Sequence, residues 1–250
     1  MESRKTNWPS VSDRESPFSE SSSGATSFLL VVITTPHFFA GEAACLEGLL
    51  AAGLEKLHLR KPGAGVEELE ALLKQIDARW YPRLVLHGGY DIQQLAARYG
   101  IPQVHCPPGR LRPDDRVPGK SDAAKSPAES AVNRQRKLDE ESPIVLSTSI
   151  HSWEEIKEIE GAGLTYVFLS PVFNSISKPG YAATPGLLRR PAGPFPCKVI
   201  GLGGVDKDTI GELRREGWDG AAVLGWIWQQ PEEALQRYQQ LKDDIKSNWI

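Results

Sequence analysis

The sequence predicts an α/β fold: a single-domain (β/α)8 TIM barrel behind a disordered N-terminal tail. Three observations predict it. Short apolar runs rich in β-branched residues alternate with helical patterns, eight such runs follow one another, and polar residues and glycines gather just past their C-terminal ends. Strand–helix alternation implies parallel pairing through right-handed crossovers. A count of eight points to a closed barrel more than to an open doubly wound sheet. The alternative, an open Rossmann-like sheet, calls for a glycine fingerprint after the first strand. Thr34, Thr35 and Pro36 stand there instead.

Residues 1–27 hold nine serines, with Pro9 and Pro17 among them and no hydrophobic period. Such a stretch buries too little apolar surface to offset its ordering entropy, so a disordered tail is expected there and the domain over 28–247. Phe28 to Thr34 is a continuous apolar run, as in a strand buried on both faces. Glu42 to Ala52 has helical spacing in Ala43, Leu46, Leu49 and Leu50, and Gly53 follows as a C-cap. Lys56 to Arg60 is the second strand and Val66 to Ile76 a helix. Arg83 to His87 and Asp91 to Tyr99 repeat the unit, and Pro102 to His105 is the fourth strand. Pro107 to Glu141 reads as a long polar loop with room for one helix near Glu129 to Leu138. Strands are expected at Ile144 to Thr148, Thr165 to Ser170, Lys198 to Leu202 and Asp219 to Leu224. Helices are expected at Ser152 to Ile159, Asp206 to Glu216 and Pro231 to Ile245.

Composition excludes several classes. A net charge of -3 gives no basic footprint for nucleic acid and no polybasic patch for a membrane surface. Any bound anion must be held by a local site. Cys45, Cys106 and Cys197 form no CxxC pair and read as free thiols of a reducing compartment. No apolar run reaches 18 residues, and the N-terminus lacks the pattern of a secretory signal. A cytoplasmic protein with no membrane partner is expected. Oligomeric state, including a homo-oligomer, is left open.

In a barrel the site lies at the C-terminal strand ends. His58 and Arg60 share one face of the second strand, and Leu57 and Leu59 take the other. The leucines suit packing against outer helices, so His58 and Arg60 point inward. An inward Arg needs a partner, either a bound anion or a carboxylate. Lys61 follows it. His87 and His105 end the third and fourth strands, as pocket walls or as reagents. Ser149 and His151 lie past the fifth, and Ser175, Ser177 and Lys178 fall in the loop after the sixth. Gly203 and Gly204 follow the seventh strand and are expected to open a helix, whose backbone N–H groups would face an anion. Leu224 and Gly225 supply the matching turn after the eighth. A lone Gly-Gly is often just a tight turn, but loops seven and eight together are the usual barrel phosphate site. His151 is a candidate proton carrier, because imidazole gives and takes a proton near neutral pH. On position alone it could instead face water at a helix start.

These motifs, in this order, resemble the thiamine-phosphate synthase/TenI family. The resemblance rests on Leu57–Lys61, Ser147–Ser152, Tyr166–Lys178, Gly201–Val205 and Ala222–Gly225, within a span of about Phe28 to Ile245. It implies an enzyme of the thiazole branch of thiamine biosynthesis acting on a small phosphorylated thiazole. The family's synthases join a pyrimidine diphosphate to a thiazole phosphate with the help of Mg²⁺. Its TenI-type tautomerases aromatise a similar thiazole phosphate by proton transfer. The resemblance also implies that synthases hold their metal on an Asn-Asp pair after strand three and an Asp after strand four. Here those places read His87-Gly88 and His105-Cys106, and the Gln expected before Arg60 is His58. No metal ligand set is therefore expected, and Mg²⁺ enters only for a synthase. Asp91 and Asp114 are the nearest acids. The resemblance then favours a tautomerase with His151 as catalyst. A synthase, or a non-catalytic thiazole or thiamine phosphate-binding protein, is the alternative.

Overall fold

The structure, a computed structural model, describes residues 28–107, 144–175, 180 and 182–247. Eight parallel strands close in chain order, β1 pairing with β8. They are β1 (Leu29–Ile33), β2 (Lys56–Leu59), β3 (Leu84–His87), β4 (Gln103–His105), β5 (Ile144–Ile150), β6 (Tyr166–Leu169), β7 (Lys198–Leu202) and β8 (Gly220–Val223). Outside them lie α1 (Glu42–Ala51), α2 (Val66–Leu73), α3 (Tyr90–Arg98), α4 (Ile210–Arg215) and α5 (Ala234–Ser247). The predicted barrel is the observed one. The predicted tail and the loop beyond Pro107 lie outside the described residues.

The period-two pattern divides each strand between two cores. Val31, Ile33, Val85, Tyr166, Phe168, Ile200 and Ala222 pack inside the barrel. Leu30, Val32, Leu57, Leu59, Leu84, Leu86 and Val104 face outward into the layer beneath the helices. Leu46, Leu49 and Leu50 of α1 and Leu69, Leu72 and Leu73 of α2 meet them there. Each fully buried aliphatic side chain contributes roughly 1.5–3 kcal/mol. Two cations satisfy carbonyls at the end of α1: Arg83 donates to Leu50 O (3.1 Å), and Lys242 to Ala52 O (2.8 Å).

Several helices end earlier than their sequence pattern. The helix after β2 stops at Leu73 because Gln75 and Ile76 turn back to Leu72 and Leu73 in tighter i,i+3 bonds. Ser152 to Ile159 is not an α-helix but a 3-10 turn at Glu154–Lys157. Its buried residue Ile156 and Ile159, just beyond the turn, are three apart, the spacing of a 3-10 turn. The expected helix from Asp206 is confined to Ile210–Arg215, because the Asp206 carboxylate accepts from the N–H groups of Asp208 (2.9 Å) and Thr209 (3.0 Å) in a local turn. Gly203 and Gly204 therefore do not open a helix, and the predicted helix N-terminus is corrected to a turn.

Past β6 the chain runs without a helix among the described residues up to β7. Two indoles pin it: Trp153 donates to Leu187 O (3.0 Å) and Trp218 to Leu188 O (2.8 Å). Their rings meet at 5.1 Å, and Phe195 packs 5.5 Å from Trp153. This aromatic group covers the sheet where a crossover helix would lie.

One ion pair ties β2 to α1. The Lys61 ammonium meets Glu42 at 2.5 Å, and the two side chains are 1% and 2% exposed. Lys61 also donates to Thr35 O (2.9 Å) and His37 O (3.0 Å). Burial pushes Lys61 down and Glu42 up, and their mutual attraction opposes both shifts. Removing one partner would strand a buried charge. Glu42→Ala is expected to lower unfolding free energy by about 3–5 kcal/mol, measured by denaturant titration. A loss below about 1 kcal/mol would show that the Lys61 head reaches water once its partner is gone.

Candidate active site

The strand ends converge on one cavity of about 510 Å³. Arg60, His87, His105, Ser149, His151 and Ser175 line it on one side, and Gly203, Gly204, Leu224 and Gly225 on another. Lys61 reaches the lining, and its ammonium is held by Glu42. His58 lies behind the lining, fully buried within the barrel. Ser177 and Lys178 fall outside the described residues.

The histidines form a group built by strand register. His87 pairs with His105 across β3 and β4, and His105 with Ser147 across β4 and β5. The rings of His87 and His105 stack at 4.2 Å with 19° between their planes. His105 uses both nitrogens, Nδ1 to Ser147 Oγ (2.8 Å) and Nε2 to Ser149 Oγ (3.1 Å). His58 Nδ1 lies 2.7 Å from His87 Nε2, and its Nε2 meets the Tyr166 hydroxyl. Burial drives all three histidines toward the neutral form. His105 adds to the shift of His58 and His87, and Arg60 to that of His87 and His105, which falls to about 3.

His151 stands apart, exposed at the cavity rim. Its Nδ1 lies 2.9 Å from Ser170 O. A carbonyl oxygen only accepts, so Nδ1 carries the proton and Nε2 is the basic nitrogen. The backbone N–H of His151 donates to Glu155 (3.1 Å), which fixes where the residue leaves β5.

Gly203 and Gly204 have φ of 99° and 66°. A Cβ on Gly204 would stand 2.2 Å from Asn174 O, and one on Gly203 2.9 Å from the Pro171 Cα. The two glycines let loop seven lie against loop six, where Val172 and Phe173 donate to Leu202 O and Gly203 O (both 3.0 Å). Among the described residues no acceptor takes the N–H groups of Gly203, Gly204 or Gly225. Unpaired amides lining a cavity with Arg60 suit an anion. The Arg60 guanidinium forms no ion pair among the described residues.

Comparison with known proteins bears on what this cavity serves. The family described as Thiamine monophosphate synthase matches residues 127–227. The thiamine-phosphate synthase of Methanoregula boonei is 26% identical over 184 residues, covering 73% of this chain and 76% of that one. The chain is similar to the thiamine-phosphate synthase/TenI family. In structure it is similar to the thiamine phosphate pyrophosphorylase of Bacteroides thetaiotaomicron, with a TM-score of 0.59, 26% identity and coverage of 88% of this chain and 98% of that one. A Pyrococcus furiosus thiamine phosphate pyrophosphorylase, 19% identical, shares the fold with a TM-score of 0.63 over 89% of this chain and 98% of that one.

Mg²⁺, which the family's synthases imply, takes oxygen ligands from one or two carboxylates. Among the described residues no Asp or Glu lines the cavity. Asp91 sits exposed in the first turn of α3, and Asp114 lies outside the described residues. The described donor set does not fit Mg²⁺. Among the described residues no helix is long and apolar enough to cross a membrane.

Glu42 and Tyr166 bear on the site but carry no chemical motif in the sequence. Glu42 reads as an ordinary first-turn acid, and Tyr166 as one more aromatic of a buried strand. The neutral histidines give the fold an acid limit. In the unfolded chain each binds a proton near pH 6.5, whereas in the barrel protonation is suppressed to lower pH. The unfolded state therefore gains protons first, and stability is full above pH 6.5 and falls as pH drops toward 3. Melting temperature is expected to fall across that window by less in a His105→Gln variant than in the wild type. Equal slopes would remove His105 from the acid response.

Proposed function

We propose that the chain is a TenI-like thiazole phosphate tautomerase, with residues 28–247 as its catalytic domain. The observation that carries the reading is His151, a histidine with Nδ1 hydrogen-bonded to a carbonyl, at the rim of a cavity that presents unpaired glycine amides. The thiazole phosphate is held at Gly203, Gly204, Leu224 and Gly225, whose backbone offers donors without a competing acceptor. Arg60 complements the negative charge of the substrate. His87, His105 and Ser149 form the wall against the ring, with His58 behind them and Ser175 beside it, while Ser177 and Lys178, the other substrate-binding candidates of that loop, lie outside the described residues.

The chemistry is an isomerisation. His151 Nε2 takes the proton from a saturated ring carbon. The C–H electron pair moves into the ring, the exocyclic double bond shifts inward, and the exocyclic carbon accepts the proton back. Atoms and electrons balance with no oxidant or reductant. One base can serve both carbons because they belong to one small bound molecule. Ser170 O retains the Nδ1 proton throughout and stabilises the imidazolium that forms between the two transfers.

The second reading is a thiamine-phosphate synthase, and the names of the relatives favour it. Against it stands a described cavity lining with no carboxylate to anchor the metal of a departing diphosphate. His151→Ala is expected to slow ring aromatisation by about 10²–10⁴-fold, with affinity for the thiazole phosphate within a few-fold of wild type. Unchanged turnover would exclude His151 from the mechanism. Wild-type protein given both synthase substrates and Mg²⁺ is expected to yield no thiamine phosphate above the buffer rate. Robust formation would establish the synthase instead.

A further inference from the structure

We propose that His58, His87 and His105 form a binding site for a divalent transition-metal ion of the Zn²⁺ or Co²⁺ kind, set into the wall of the cavity. One ring nitrogen from each lies within 4.8 Å of the others. The three residues come from adjacent strands β2, β3 and β4, so backbone hydrogen bonding fixes their spacing. Three imidazoles and one open position is a common ligand set for such ions. The proposal stands apart from the tautomerase reading, because it concerns which ion these side chains hold whatever the reaction.

The outer contacts are those a metal site uses to orient its ligands. His58 Nε2 meets the Tyr166 hydroxyl, which leaves Nδ1 for the ion. His105 Nδ1 meets Ser147 Oγ at 2.8 Å, which leaves Nε2. The 2.7 Å contact of His58 Nδ1 and His87 Nε2 holds one shared proton. A tetrahedral ion with bonds of about 2.0–2.1 Å keeps its ligands roughly 3.3 Å apart, so it replaces that proton and opens the pair slightly. The nitrogen lone pair lies in the plane of its ring. His105 therefore turns out of its stack on His87 and exchanges its Ser149 contact for the ion.

His87 and His105 line the cavity, so the open coordination position faces substrate. Arg60 also lines it and favours an anion as the fourth ligand. A carboxylate or a water-derived hydroxide fits that place. All-nitrogen donors select against Mg²⁺ and Ca²⁺, which take oxygen.

The test is a Co²⁺ titration of the full chain after dialysis against chelator, followed by visible absorption and calorimetry. One ion per chain is expected, with the intense bands of low-coordinate Co²⁺. His87→Gln and His105→Gln are each expected to weaken binding roughly a hundredfold or more, and excess Mg²⁺ is expected not to compete. In wild-type protein loaded with Co²⁺, proton NMR is expected to show three strongly shifted imidazole N–H signals. That count decides the matter if either variant fails to fold. Uptake well below one ion per chain would overturn the proposal. So would uptake unchanged in both variants, which would place the ion at His37, His151 or a thiol, and so would fewer than three shifted imidazoles.

Discussion

Closure of the eight-strand barrel is the constraint on which the rest of the molecule depends. Once β1 pairs with β8, every inward side chain is aimed at a common axis. Lower down the axis is filled by Val31, Val85, Tyr166, Phe168 and Ile200. At the C-terminal ends the same geometry forces polar side chains together, and each must find a partner or face the cavity. His58, His87 and His105 partner one another, together with Tyr166, Ser147 and Ser149. Arg60 faces the cavity instead. A site so formed is rigid because its walls are strands, and its variable parts are the loops.

The charges divide between committed and available groups. Lys61 is committed, bound by Glu42 and two carbonyls, and serves to hold β2 against α1. The cavity histidines are driven neutral by burial and, for His87 and His105, further by Arg60. They make poor proton carriers near pH 7. His151 differs in kind: it is exposed, and its Nδ1 contact with Ser170 O sets its tautomer. The division explains why one histidine among several suits proton transfer while His58, His87 and His105 suit wall, network or ligand roles.

Much of this was legible in the sequence, and the reasons are physical. Strand identity showed in buried β-branched runs such as Phe28 to Thr34. Alternation in Leu57-His58-Leu59-Arg60 separated outward leucines from inward polar groups, as observed. Helix lengths were less legible. Nothing in Asp206 to Glu216 reveals that the Asp206 carboxylate claims local N–H groups before a helix can begin. The role of the glycines was half legible. Their place after β7 followed from spacing, but their packing on Asn174 and Phe173 depends on a long-range contact. The same limit hid the Lys61–Glu42 pair, whose members stand 19 residues apart. It also hid the meeting of three histidines, which needs the register of three strands at once.

The central claim is that this cavity binds a thiazole phosphate and moves one proton within it. The most direct measurement follows the non-aromatic thiazole phosphate in D₂O with wild-type protein, by proton and phosphorus NMR. The account predicts conversion to the aromatic isomer far faster than in buffer, with a hydrogen gained at the exocyclic carbon and the phosphate retained. Binding of the substrate with no acceleration over buffer would contradict it.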